Sequence, residues 1–213
     1  MLTLKTLLVS IMLVMPATFV EANTLILGFD LSGSSPLSNK QFAKRAADKA
    51  AKEVIRMKPG DTLLIRAFGV HSGRQTSIAR DFRITRKVKA TAVAKVVKRF
   101  VISIPDLNIV NEPQTSLIGF LISMGTAYDC QNGVRYILLS DGVEDSSYGS
   151  SRKIAQHGGA FSEIDSVNFK SCQLDIWGFG LGFDAVTVEQ FKKATISWAR
   201  AEGFGTINLL NNW

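Results

Sequence analysis

Oxygen-bearing side chains gather at three separate points of this sequence. Asp30-Leu31-Ser32-Gly33-Ser34 places a carboxylate and two hydroxyls on a short turn directly after an apolar run, Leu25 to Phe29. Asp141 stands between Ser140 and Gly142, directly after a second strand-like segment, Val134 to Leu139. Thr115 follows a loop that contains Pro105 and Pro113. Together they form a hard donor set of carboxylates and hydroxyls with no cysteine or histidine in it. Mg²⁺ favours such a set, keeps several waters, and is commonly held by one or two carboxylates plus neutral oxygens. Mn²⁺ or Ca²⁺ would also suit it, whereas zinc and copper select sulfur and imidazole. The same residues also suit structural duties. Ser34, Ser35 or Ser38 would cap a following helix, as would Thr115, and Asp141 before Gly142 fits a plain turn.

The elements that must position these groups follow from periodicity. Thr24 to Phe29 reads as a strand buried on both faces. Ser38 to Met57 reads as a helix, with Phe42, Ala46, Ala50 and Val54 four residues apart. Pro59-Gly60-Asp61 ends it, and Thr62 to Phe68 is a second strand. Ser77 to Thr85 alternates as an antiparallel edge strand would. Helices are predicted over Val88 to Phe100, Thr115 to Tyr128 and Val186 to Glu202, with a short one near Ser150 to Gln156. Further strands are predicted at Val134 to Leu139, Leu174 to Phe179 and Gly205 to Leu209. Strands alternating with amphipathic helices predict one α/β domain: a three-layer, doubly wound, Rossmann-like sheet, mostly parallel, with one antiparallel edge strand. Right-handed crossovers bring the carboxyl ends of the parallel strands to one rim, where such sheets bind ligands.

Asp30-Leu31-Ser32-Gly33-Ser34, Thr115 and Ser140-Asp141-Gly142, in this order and after these elements, resemble the metal-ion-dependent adhesion site of von Willebrand factor A (vWA) domains, of a bacterial exported type. The resemblance spans nearly all of the chain after its start. It implies that Ser32 and Ser34 ligate the metal through their hydroxyls, and that Asp30, Asp141 and Thr115 ligate directly or through water. It also implies that an acidic residue of a partner protein fills the open coordination position. The sequence departs from the family pattern before the threonine, where Pro113-Gln114-Thr115-Ser116 lacks the usual glycine, so Ser116 is an alternative to Thr115. Bacterial domains of this type serve pili, secretion, conjugation and envelope assembly. An accessory protein-binding factor in such a system, not an enzyme, is the function the resemblance implies.

The remaining features bound this reading. Lys5 followed by the apolar Leu7 to Met15 and by Val20-Glu21-Ala22 reads as a signal peptide over residues 1–22, cleaved after Ala22, with the domain at 23–213 and a periplasmic or secreted destination. No other long apolar run occurs, so no membrane span is expected in the mature chain. The net charge is +7, which fits an acidic partner. Its basic residues are spread along helices without interleaved aromatics, which argues against nucleic-acid binding. Cys130 and Cys172 precede two predicted strands, and an exported pair of cysteines predicts a disulfide at the amino edge of the sheet. Glu144 and Asp145 read as a solvated acidic turn, and His71 and His157 as surface residues. The alternative function is a metal-dependent, phosphatase-like hydrolase using Asp30. Against it, Ser32 stands where that chemistry needs a second aspartate, and no Gly-x-Ser-x-Gly elbow or glycine-rich phosphate loop is present.

Overall fold

The computed structural model describes residues 23–69, 78–107, 113–128, 130, 133–164 and 167–211. The expected leader, His71 and part of the loop before Thr115 lie outside them. The strands are β1 (Thr24–Asp30), β2 (Thr62–Phe68), β3 (Ala79–Arg83), β4 (Val134–Leu139), a small hairpin β5 (Asp145–Ser146) and β6 (Gly149–Ser150), β7 (Gln173–Trp177) and β8 (Thr206–Leu210). The helices are α1 (Lys40–Ile55), α2 (Ala90–Ser103), α3 (Leu117–Ala127), α4 (Ser151–His157) and α5 (Ala185–Ala201).

The main sheet runs β3-β2-β1-β4-β7-β8. Within this sheet, among the described residues, β2–β3 is the antiparallel pair and the other pairs are parallel. This is the expected three-layer, doubly wound architecture with its antiparallel edge strand. From β1 the chain winds outward through β2 to β3, then returns to β4 on the other side of β1. The crevice between β1 and β4 is therefore the switch point, where a sheet of this kind opens to a ligand.

Both faces of the sheet are covered, because the central strands are mostly apolar on each side. Leu25, Leu27 and Phe29 pack with Phe42, Ala46 and Val54 of α1 and with Val93 and Val97 of α2. On the other face Ile26, Tyr136 and Leu138 pack with Leu117 and Leu121 of α3 and with Phe191 and Trp198 of α5. Gly28 lets α3 approach β1 closely. A Cβ there would sit 2.6 Å from a Leu138 methyl and 3.1 Å from the Phe120 ring.

The helix starts differ from the sequence reading. Pro36–Ser38 forms a separate 3-10 turn, capped by the Ser35 side chain. The cap of α1 is Asn39, whose Oδ1 accepts from the Gln41 and Phe42 amides at 2.9 and 3.1 Å. A proline fixes its own φ and favours a turn ahead of the long helix. The serines are thereby left free of the α1 cap. The disulfide is as expected: Cys130 and Cys172 are bonded with a Cα separation of 5.0 Å. It joins the segments that enter the parallel neighbours β4 and β7, at the amino edge opposite the β1–β4 crevice.

Candidate metal centre

The register of β1 and β4 builds the centre. Phe29 is level with Leu139, so Asp30 and Ser140 leave the two strands side by side. The Ser140 hydroxyl donates to Asp30 Oδ2 at 2.6 Å. The turn then folds back on Asp30: the Ser32 amide donates to Asp30 Oδ1 at 2.8 Å. Both contacts fix the carboxylate at the bottom of the crevice, where it is fully buried. The Ser32 and Ser34 hydroxyls lie 3.4 Å apart, and the Ser34 side chain favours the charged form of Asp141.

Asp141 is held from the β7 side. Its carbonyl accepts from the Gly180 amide at 2.8 Å, and its Oδ1 accepts from the Val143 amide at 3.0 Å. Gly142 is required here by its φ of +78° and by Phe179, whose ring would lie 2.3 Å from an added Cβ. Asp141 Oδ2, also buried, has no hydrogen-bond partner among the described residues. Burial, and then the charge of neighbouring Asp141, push the Asp30 carboxyl up to about 7. Burial raises Asp141 as well, against the amide of Val143 and the Ser34 side chain. Among the described residues neither carboxylate forms an ion pair.

Two adjacent buried carboxylates of like charge, with an orphaned oxygen and no cationic partner, are costly unless a positive charge joins them. The donor chemistry fits a hard divalent ion. Among the described residues no three His, Cys, Asp or Glu side chains gather as a metal cluster. A cation at this rim would therefore depend on hydroxyls and water beside its carboxylates, as hard divalent cations commonly do.

Thr115 is buried on the segment that enters α3. Its carbonyl accepts from the Asp145 amide at 2.8 Å, and the next amide, Ser116, donates to the Gly69 carbonyl just beyond β2 at 3.1 Å. These bonds dock the Thr115 segment against the loop after Asp141 and against the carboxyl end of β2. The N-cap position of α3 is Ser116, whose side chain makes no capping bond.

Glu144 supplies that cap from 26 residues away, and this corrects the reading of Glu144 as a solvated turn residue. It is 2% exposed, and its Oε2 accepts from the Ile118 amide at 2.7 Å. Its own amide and carbonyl are both bonded to Ser151, at the start of α4. Burial pushes its carboxyl up to about 7, against the amides of Ile118 and Leu117 and the Ser146 side chain. An amphipathic count cannot find such a residue, because the partner helix is distant in sequence. No local signal marked it, because Thr115 and Ser116, both cap-forming residue types, already stand ahead of α3. Asp145 is exposed, as expected, and so is His157.

Glu144→Gln keeps an acceptor for the Ile118 amide, whereas Glu144→Ala leaves that buried N–H without one. The alanine variant is expected to lose about 2–3 kcal/mol in urea unfolding, and the glutamine variant markedly less. Equal losses would show that the cap contributes nothing.

No family model matches the sequence, and no curated protein does. Among solved structures, proximal thread matrix protein 1 from the mussel byssus aligns at 17% identity with a TM-score of 0.47, over 90% of this chain and 44% of that one. A second form of it, described as having a zinc-occupied MIDAS motif, aligns at 18% identity and a TM-score of 0.44, over 89% of this chain and 44% of that one. The pilus adhesin SpaC from Lactobacillus rhamnosus GG aligns at 12% identity and a TM-score of 0.48, over 92% of this chain and 29% of that one. The chain thus spans less than half the length of the solved chains it matches. The three-layer, doubly wound α/β fold rests on the chain's own strand order and register.

Proposed function

We propose that this chain is a vWA-like binding module that holds a divalent cation, Mg²⁺ or alternatively Mn²⁺ or Ca²⁺, at the β1–β4 crevice. The cation would present an open coordination position to an acidic residue of a partner protein. Asp30, Ser32, Ser34 and Asp141 are the ligands in this reading, with Thr115 completing the set from the α3 segment. One observation carries it: buried Asp30 and Asp141 lie beside each other, with the Ser32 and Ser34 hydroxyls next to them and Asp141 Oδ2 left without a partner. The chain's own residues orient the carboxylates and exclude water from the floor of the crevice. The cation, when bound, supplies the Lewis acidity that grips an outside carboxylate.

A single carboxylate on a hydrated cation is a weak contact, so the loops around the crevice must supply specificity. The module works by binding and not by turnover. Its destination is the periplasm or the exterior, after removal of residues 1–22. It acts as an accessory factor of a bacterial envelope assembly, secretion or conjugation system. The net charge of +7 favours an acidic partner.

Calorimetric titration of Mg²⁺ and Mn²⁺ into the wild type and Asp141→Ala tests the site. Saturable binding is expected in the wild type and a loss of about 100-fold or more in the variant. Equal heats in both would remove the site. Capture of partners from an envelope extract should fail when a chelator is present; capture that ignores the chelator would reduce the cation to a structural part.

A further inference from the structure

The amino edge of the sheet, opposite the crevice, carries a second arrangement that cation binding does not use. Asn23 precedes β1, and its backbone nitrogen donates to Asp61 Oδ1 at 3.0 Å. Asp61 is 5% exposed, and its other oxygen, Oδ2, accepts from the Lys58 amide at 2.7 Å. Among the described residues Asp61 forms no ion pair.

The charged groups around this point are otherwise committed to one another. A cavity of about 410 Å³ is lined by Asn23, Asp61, Glu53, Arg56 and Arg135, among others. Glu53 pairs with both Arg56 and Arg135, and Arg135 also pairs with the buried Asp175. The Asn23 backbone is pinned on both sides: its carbonyl accepts from the Thr62 amide at 2.9 Å, and the following amide, Thr24, donates to the Gly133 carbonyl. The nitrogen is therefore held against a nearly buried carboxylate with no ion-pair partner among the described residues.

We infer that Asp61 is the receptor for the chain's own N-terminal α-ammonium, created when the Ala22–Asn23 bond is cut. This rests on the reading of residues 1–22 as a removed leader. An export peptidase would hydrolyse that peptide bond with one water. Ala22 would leave with a carboxylate, and Asn23 would keep the nitrogen as an ammonium. A neutral amide donor in the precursor becomes a full positive charge at the same 3.0 Å from Asp61. The new ion pair is charge-assisted, and so stronger than the amide bond it replaces. It ties the start of β1 to the α1–β2 turn, two elements that meet only in the folded chain. Maturation thus stabilises the amino edge of the domain, well away from the cation site.

The test uses protein released by a specific protease so that it begins at Asn23, with the Nα amine free or acetylated, in the wild type and in Asp61→Asn. Acetylation keeps an N–H donor and removes the charge. It is expected to lower the wild-type Tm by about 3 °C and to leave Asp61→Asn almost unchanged. Equal shifts in the two backgrounds would overturn the pairing. Should Asp61→Asn fail to fold, titration of the ¹⁵N-labelled Asn23 amine in the wild type decides the matter without a variant. An apparent pKa clearly above about 8.0, the top of the ordinary range, is expected, and an ordinary or lower value overturns the inference. Mass analysis of the exported protein stands apart from these arms. A start other than Asn23 would refute the leader boundary and its use in maturation, while the titration would still show whether the pocket accepts an ammonium.

Discussion

Asp30→Asn is expected to stabilise the cation-free protein at pH 8 and, in the same molecule, to weaken Mg²⁺ binding by about 100-fold or more. The substitution suits the local geometry. The asparagine Oδ1 can still accept from the Ser32 amide, and its Nδ2 can donate to the Ser140 oxygen that Asp30 Oδ2 now contacts. What disappears is a buried negative charge beside Asp141. With the Asp30 carboxyl pushed up to about 7, against about 3.9 in an unfolded chain, the folded state binds the proton more tightly than the unfolded state. Stability of the cation-free wild type therefore falls as pH rises from about 4 through 7, and the loss is complete above that.

Removing the charge should restore on the order of 2–4 kcal/mol at pH 8. Glu144, also pushed up to about 7, adds a slope of the same sign, so melting curves of Asp30→Asn should flatten between pH 5 and 8 without becoming level. Adding Mg²⁺ should stabilise the wild type at pH 8 by mass action and do little for the variant. Urea or thermal unfolding with and without Mg²⁺ checks both halves. A variant no more stable than the wild type in chelator would mean that the Asp30 charge is already compensated without a cation.

Reducing or replacing the Cys130–Cys172 bond is expected to produce the largest loss of stability of any change away from the crevice. The cysteines are 42 residues apart, and closing a loop of that size restricts the unfolded chain by about 4 kcal/mol. Both cysteines are buried among the side chains under α3 and α5, so Cys130→Ala/Cys172→Ala adds a small packing loss. The bond lies at the amino edge and the cation site at the carboxyl edge. The double variant should therefore keep its Mg²⁺ affinity while its urea midpoint drops. Loss of both together would show that the two rims are coupled through β4, which carries the disulfide segment at one end and Asp141 at the other.

The sequence by itself settled the elements whose pattern is local. Runs that are apolar but for a single arginine in β2 (Arg66) and in β4 (Arg135) made β1, β2 and β4 recognisable, because strands covered on both faces need no polar face. The four-residue spacing of Phe42, Ala46, Ala50 and Val54 defined α1 because a helix shows one stripe to its sheet. Asp30, Ser32, Ser34 and Asp141 stood out because each leaves a strand at an end where an α/β sheet gathers ligands. Tertiary structure alone decided what depends on register. That Ser140 reaches Asp30 follows from Phe29 standing level with Leu139, and no spacing along the chain encodes that alignment. Glu144 looked like a surface residue because its partner amide, on α3, arrives only when the sheet closes. The pairing of Asn23 with Asp61 likewise exists only once β1 lies beside β2. Local periodicity reports which face of an element is buried. Hydrogen bonds between distant segments are set by how those elements pack, and that is where the polar groups of this protein acquire their partners.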